Sequence, residues 1–292
     1  MKNSKVITYK KLFREISQLS SKQLSQLSSI SHRYSSAEAK DILAEEEAQL
    51  FLQTITKPTF RPTKEQRFTF IDLFAGIGGF RMAMQNLEGK CVFTSEWEPK
   101  AQETYFHNYG ELPFGDITQK STKDAIPEGF DVLCAGFPCQ AFSIAGKRGG
   151  FEDTRGTLFF DVAEIIKKHR PKAVFLENVK GLVNHKSGKT LDTILNVLRN
   201  DLNYIVPKPR IINAKDFGVP QNRERIFMVG FRKDDFEEKA AYFRYPKPTK
   251  KETSIERILE EEQVPVKYYL STQYLKTLVE HKRRHTEKGN GF

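Results

Sequence analysis

FTFIDLFAGIGGFRMAMQNL, residues 68–87, decides the reading of the fold. A mostly apolar run, FTFIDLF, has the length and composition of a buried strand. Gly76, Gly78 and Gly79 follow it at once, and RMAMQNL then carries the apolar spacing of a helix. Strand, glycine turn and helix in under twenty-five residues are the first half of a βαβ unit. Working outward, CVFTSE, FDVLCAGF, AVFLENV and RIFMVGF read as further strands. PKAQETYFHNY, FFDVAEIIKKH and TLDTILNVLRN read as the helices between them. Strands alternating with helices of this length predict an α/β fold with a parallel sheet and helices on both faces. Ligands of such sheets sit beyond the C-terminal strand ends, and the unusual residues fall there.

The flanks read differently. Residues 1–66 hold three short stretches with apolar residues three and four apart, ending in KPTFRPTKEQ. They predict a small helical N-terminal extension and linker, either packed on the main domain or acting as a DNA-binding helix-turn-helix. After Phe231 the sequence is charged and punctuated by proline, and no terminating element is legible before KGNGF. The chain of 292 residues contains no uncharged apolar run of 18, and its first residues lack an apolar export signal. Cys91, Cys134 and Cys139 form no CxxC pair, which predicts reduced thiols in a cytoplasmic protein and disfavours both disulfide and zinc. No metal is expected. The net charge of +10 divides as +4, +3 and +3 over residues 1–66, 67–230 and 231–292. So diffuse an excess permits a nucleic-acid partner without requiring one.

Three groups of residues carry chemistry. Gly76 and Gly78 let the backbone approach a ligand closely. Glu96, twenty residues beyond Gly76 at the end of the second strand, is placed to accept both ribose hydroxyls of a nucleoside. Trp97 is either an adenine-stacking surface or core filler, and Asp116 in GDIT is placed for the adenine amino group. The loop is not GxGxxG, so a nucleoside cofactor without a diphosphate fits better than a dinucleotide, and S-adenosylmethionine is such a cofactor. A tight turn in an ordinary α/β protein is the plain alternative. In GFPCQAFS, residues 136–143, Cys139 follows a strand whose own Cys134 reads as core. Beyond a strand end, Cys139 is placed as a nucleophile if nearby cations such as Lys147 and Arg148 lower its pKa. Glu177 ends another strand and is followed by Asn178. Burial there would keep its carboxyl partly protonated and able to donate to a ring nitrogen. Arg223 and Arg225, two apart, share one face of an extended segment, where they serve an anion, Glu177 or the cysteine loop, or only the solvent.

FAGIGGFR, SEWE, GDIT, GFPCQAFS, EDTRGTLFFD, ENVKG and QNRERIFMVG, in that order, resemble the C5-cytosine DNA methyltransferase family over roughly residues 68–233. The resemblance implies a Rossmann-like S-adenosylmethionine-dependent methyltransferase sheet and methyl transfer to C5 of cytosine in duplex DNA, in the setting of restriction–modification. The base is flipped from the helix, and a thiolate adds to C6 so that C5 becomes nucleophilic. It implies Cys139 as nucleophile, Glu177 at N3 and the exocyclic amine, and Arg223 and Arg225 as supports of the base. Phe74, Gly76, Gly78, Glu96, Trp97, Asp116, Ile117, Gly136, Pro138 and Leu158 match the cofactor contacts. Pro138 also shapes the loop of the nucleophile. Gln140, Ser143, Lys147 and Arg148 would meet DNA from a closing loop that runs to Arg155.

The resemblance also divides the chain into an extension (1–66), a catalytic domain (67–233) and a linker with the start of a target-recognition region (234–292). The family pattern normally continues past that point. A truncated chain, a second polypeptide supplying the remainder and a degenerate relative are the three readings, and each expects weak or no methylation by this chain alone. Two other functions stay open: methylation of tRNA cytosine, and a non-catalytic DNA-binding or regulatory role for the N-terminal helices. A nicotinamide oxidoreductase would leave Cys139, Glu177 and the arginine pair unused.

Overall fold

The computed structural model describes residues 59–60, 65–138, 158–249, 253–261 and 265–289. The expected helices of residues 1–58, the expected DNA-contacting loop, and Cys139, Gln140, Ser143, Lys147 and Arg148 lie outside the described residues.

The opening stretch folds as its pattern requires. β1 (Phe68–Leu73) runs into the glycine turn and then into α1 (Gly79–Gln85). β2 (Gly89–Ser95) and α2 (Pro99–Tyr109) follow. Proline stands at the first position of α2, the Glu98 side chain accepts the Lys100 N–H, and Gly110 closes the helix in the left-handed conformation. These are the start and stop devices expected of a short helix. α3 (Lys120–Asp124), β3 (Val132–Ala135), α4 (Leu158–His169) and β4 (Ala173–Val179) come next. After a 3-10 turn at Lys180–Val183, α5 (Lys189–Asn196) continues into a π turn over Val197–Asp201. Two short strands, β5 (Tyr204–Ile205) and β6 (Arg210–Asn213), precede β7 (Glu224–Arg232), and α6 (Lys233–Phe236) follows it.

The sheet order is β2-β1-β3-β4-β7-β5, with β6 also paired to β7. β1 to β4 are mutually parallel, as expected. β7 departs from that expectation, because it runs antiparallel to β4, with Val179 opposite Arg225 and Ala173 opposite Phe231. The cause lies in the connection. β6 and the segment after it bring the chain to the C-terminal end of β4 before β7 starts, so β7 must run back. The start of β7 therefore stands at the rim formed by the C-terminal ends of the parallel strands.

Alternation along the strands sorts residues to two faces. Ile71, Leu73, Leu133, Ala135, Val174 and Leu176 pack with Phe159, Val162, Ala163 and Ile166 of α4 and with Ile194 and Leu198. Phe70 and Cys134 pack with Met84 of α1. Helices thus cover both faces. Burying a side chain the size of Phe159 or Ile166 contributes roughly 1.5–3 kcal/mol, enough to hold α4 to the sheet while its Lys167 and Lys168 stay exposed. Cys134 is core, as read from the sequence.

The chain divides into two compact units. One comprises residues up to Asn213 with Arg223–Lys247; the other comprises Ala214–Asn222 and the residues from Pro248 onward. The second contains α7 (Thr272–Glu287), a helix the sequence reading missed. No α7 residue is buried. Its support is local: Ser271 caps the Tyr274 N–H, and Arg283 pairs with Glu280 and Glu287. Among the described residues no helix is long and apolar enough to cross a membrane.

Candidate active site

The glycine turn is drawn tight by its neighbours. Phe74, Gly76 and Gly78 all have positive φ, at 56°, 57° and 93°. A Cβ on Gly78 would lie 2.1 Å from the Tyr109 ring, whereas one on Gly76 would meet nothing within 4 Å. The Tyr109 hydroxyl donates to the Gly78 carbonyl at 2.6 Å, and the Asn108 amide donates to Ile77 O at 3.0 Å. Glu96 is buried directly against the turn. Its Oε2 accepts the Gly76 N–H at 2.8 Å, and its Oε1 accepts the N–H groups of Trp97 and Glu98, both at 2.9 Å. The turn and the end of β2 are thus joined through one carboxylate. Trp97 is 69% exposed, so core filler is the wrong reading for it. Asp116 and Ile117 follow Phe114, which bridges back to Ser95. Ile117 is buried, and Asp116 Oδ1 accepts the Thr118 N–H at 2.9 Å. Leu158 begins α4, half-buried.

The second group lies at the ends of β3 and β4. Glu177 Oε1 receives the Arg225 Nε at 2.8 Å, a contact made possible by the antiparallel register. Its Oε2 lies 3.4 Å from where a Gly136 Cβ would stand, so glycine there leaves the carboxyl room at the end of β3. Burial pushes the Glu177 carboxyl above its ordinary value, against the opposing pull of Arg225 and then Arg223. Of the pair singled out in the sequence, Arg225 makes the ion pair. Arg223 is exposed, with its N–H on Asn213 Oδ1 at 3.0 Å. Asn178, also buried, donates from Nδ2 to Phe137 O at 2.8 Å and accepts the Val179 N–H on Oδ1 at 2.8 Å. It fixes the backbone one residue before Pro138, which is exposed at the last described position before Cys139. A carboxyl held toward its protonated form and braced by a guanidinium is suited to donate to, and receive from, a heterocyclic nitrogen.

Four residues near these groups were not singled out from the sequence. Asp72 is buried in β1. Burial raises its carboxyl to about 7, against the Arg81 charge, and its Oδ1 has no hydrogen-bond partner. The signal available was a lone acid inside FTFIDLF. Buried Arg81 and Tyr109 and half-buried Glu111 form a network under the glycine turn. Only the arginine closing FAGIGGFR hinted at it.

Comparison with known proteins gives a consistent picture. The C-5 cytosine-specific DNA methylase family matches over residues 68–292. The type II methyltransferase M.HpaII of Haemophilus parainfluenzae is 65% identical over 252 residues, covering 86% of this chain and 69% of that protein. The type II methyltransferase M.DsaV of Dactylococcopsis salina is 49% identical over 229 residues, covering 78% of this chain and 63% of that protein. This chain thus spans about two thirds of the length of these relatives. The crystal structure of the S. pombe Dnmt2 methyltransferase shares the fold, with a TM-score of 0.53 at 22% identity over 72% of this chain and 66% of that one.

Proposed function

The chain belongs to the C-5 cytosine-specific DNA methylase family, and from that premise we propose that residues 67–233 are the catalytic domain of a type II restriction–modification methyltransferase acting on cytosine C5 in duplex DNA in the cytoplasm. Residues 234–292 then lead into target recognition. The observation that carries this reading is the Glu177–Arg225 pair at 2.8 Å, beside the strand end that runs through Gly136 and Pro138 to Cys139.

The residues at the glycine turn suit S-adenosylmethionine. A buried carboxylate at Glu96 offers acceptors for a ribose diol, Gly76 leaves space for close approach, and Trp97 presents an open ring. Asp116, Ile117, Phe74, Gly78, Gly136, Pro138 and Leu158 complete that set. When bound, the cofactor supplies an electrophilic methyl. The work of the chain is to make C5 accept it. The Cys139 thiolate adds to C6, breaking the C5–C6 double bond. Glu177, carrying a proton, hydrogen-bonds to N3 and favours the electron-rich adduct, while Arg225 and Arg223 brace the carboxyl and the base. Loss of the C5 proton then expels the thiolate and restores the ring. Gln140, Ser143, Lys147 and Arg148 contact the DNA around the flipped base.

Duplex DNA carrying 5-fluorocytosine tests the reading. Fluorine at C5 blocks the final elimination, so a covalent protein–DNA adduct that depends on S-adenosylmethionine accumulates and is absent in Cys139→Ala. The assay is run on the chain alone and with any second polypeptide from the same operon. An adduct that persists in Cys139→Ala, or that forms on tRNA in preference to DNA, overturns the reading.

A further inference from the structure

Arg81, the third residue of α1, is buried. A cation there is costly unless fully paired. Its Nη1 and Nη2 meet Glu111 Oε2 and Oε1 at 2.7 and 2.8 Å, its Nε donates to Gln85, and Nη1 also reaches the Tyr105 hydroxyl at 3.2 Å. The guanidinium carbon stands 5.3 Å from the centre of the Tyr109 ring. Glu111 directly follows Gly110, the residue that closes α2. The fork therefore ties the start of α1 to the end of α2.

Two paths lead from this tie to the proposed cofactor groups. Tyr109 carries it to the glycine turn, through its hydroxyl on Gly78 O and its ring in the space of the missing Cβ. On the other side, three residues past Glu111, Phe114 accepts the Glu96 N–H at 2.8 Å and donates to Thr94 O at 2.7 Å, just ahead of Asp116. Stability alone does not require an ion pair here, since apolar residues of similar volume commonly replace one without loss. What a bidentate guanidinium–carboxylate pair adds is fixed direction.

We propose that Arg81 and Glu111 are positioning residues: their fork holds the glycine turn and the Phe114–Ile117 segment in register, so that both walls of the cofactor site engage the nucleoside together. This rests on the S-adenosylmethionine reading above. The test compares the full chain with the double variant Arg81→Met/Glu111→Leu and with Arg81→Lys, which keeps charge but loses the fork. Three quantities are measured: the melting temperature, amide hydrogen exchange at residues 76–79, and the S-adenosylmethionine dissociation constant from the fluorescence of Trp97, the one tryptophan. The double variant is expected to melt within about 3 °C of the parent. Its dissociation constant should nevertheless rise about tenfold and its glycine-turn exchange should quicken, as expected for a misplaced first contact. A folded double variant with parental affinity and exchange overturns the proposal. If the double variant does not fold, Arg81→Lys decides on the same two readouts. No binding by the parent chain sinks the cofactor reading. The tie is then judged by exchange alone, where unchanged rates overturn it.

Discussion

At the glycine turn the chain arranges its candidate cofactor groups with backbone. Glu96 is held by three main-chain N–H groups, and Gly76 and Gly78 bend where other residues bend poorly. At the end of β4 the arrangement is made by side chains: one carboxyl, one guanidinium and a register that runs against the rest of the sheet. The first kind of site is set once the strands pair. The second is a balance of desolvation against charge, and it shifts with a single proton. That division suits the proposed tasks, since a cofactor exchanged at every turnover needs only to be bound and let go, while a flipped base must also be polarised.

The sharpest way to break the comparison is Glu177→Gln. Glutamine keeps the volume but carries no titratable proton, and it leaves Arg225 without its counter-charge. Adduct formation on 5-fluorocytosine DNA should slow by about 10²- to 10⁴-fold, with little change in S-adenosylmethionine affinity. Equal losses in both would show that the two rims are one site and that the division is false.

Next in size is Asp72, whose Oδ2 accepts the Arg81 N–H at 3.2 Å while its buried Oδ1 has no partner. Its ordinary value of 3.8 is raised to about 7 in the folded chain. Folding therefore favours the protonated form. That contribution is full below pH 3.8 and is lost as pH rises through 7, roughly 4 kcal/mol at most. Glu177 is shifted in the same direction. Urea unfolding from pH 4 to pH 8 should show parental stability falling, and Asp72→Asn should flatten the curve. A variant that keeps the parental slope would move the proton dependence elsewhere, with Glu177 the next group to substitute.

The two glycines grade the backbone rim from within. Gly78→Ala drives a methyl into the Tyr109 ring at a φ of +93° and should cost about 2–4 kcal/mol and weaken cofactor binding. Gly76→Ala meets open space and has only its φ of +57° to bear, about 1 kcal/mol. Equal costs in denaturant unfolding would mean that Tyr109 gives way and that the turn is less fixed than its contacts imply.

How much of this was legible follows the same line. β1, its glycine turn, α1 and the alternation after it were read from apolar periodicity, which reports burial well. Periodicity says nothing of strand direction, so the reversal of β7 was not readable in RIFMVGF. With it went the reason Arg225 reaches Glu177 rather than solvent. β5 and β6 are too short and too close to Pro207 and Pro209 to stand out. α7 buries nothing, so it lacks the stripe by which helices are recognised; its evidence was the charge spacing of Glu280, Arg283 and Glu287. The tie at Arg81 needed a partner thirty residues away, which no local pattern supplies.

The smallest effect separates charge that is buried from charge that is merely present. Lys180, just past the end of β4, pairs with Glu224 of β7 at the same 2.8 Å as Glu177 with Arg225, but with side chains 55% and 40% exposed against 20% and 22%. Water screens the outer pair, and holding a lysine stem in one rotamer offsets most of what attraction remains. Lys180→Ala should therefore change unfolding free energy by less than about 0.5 kcal/mol and leave the rate of adduct formation within about twofold, while Arg225→Ala, at equal distance, slows it at least tenfold. If the two substitutions cost alike, distance rather than desolvation governs this rim. The raised Glu177 carboxyl would then lose its claim to be the group that discriminates a base bound for reaction from one merely bound.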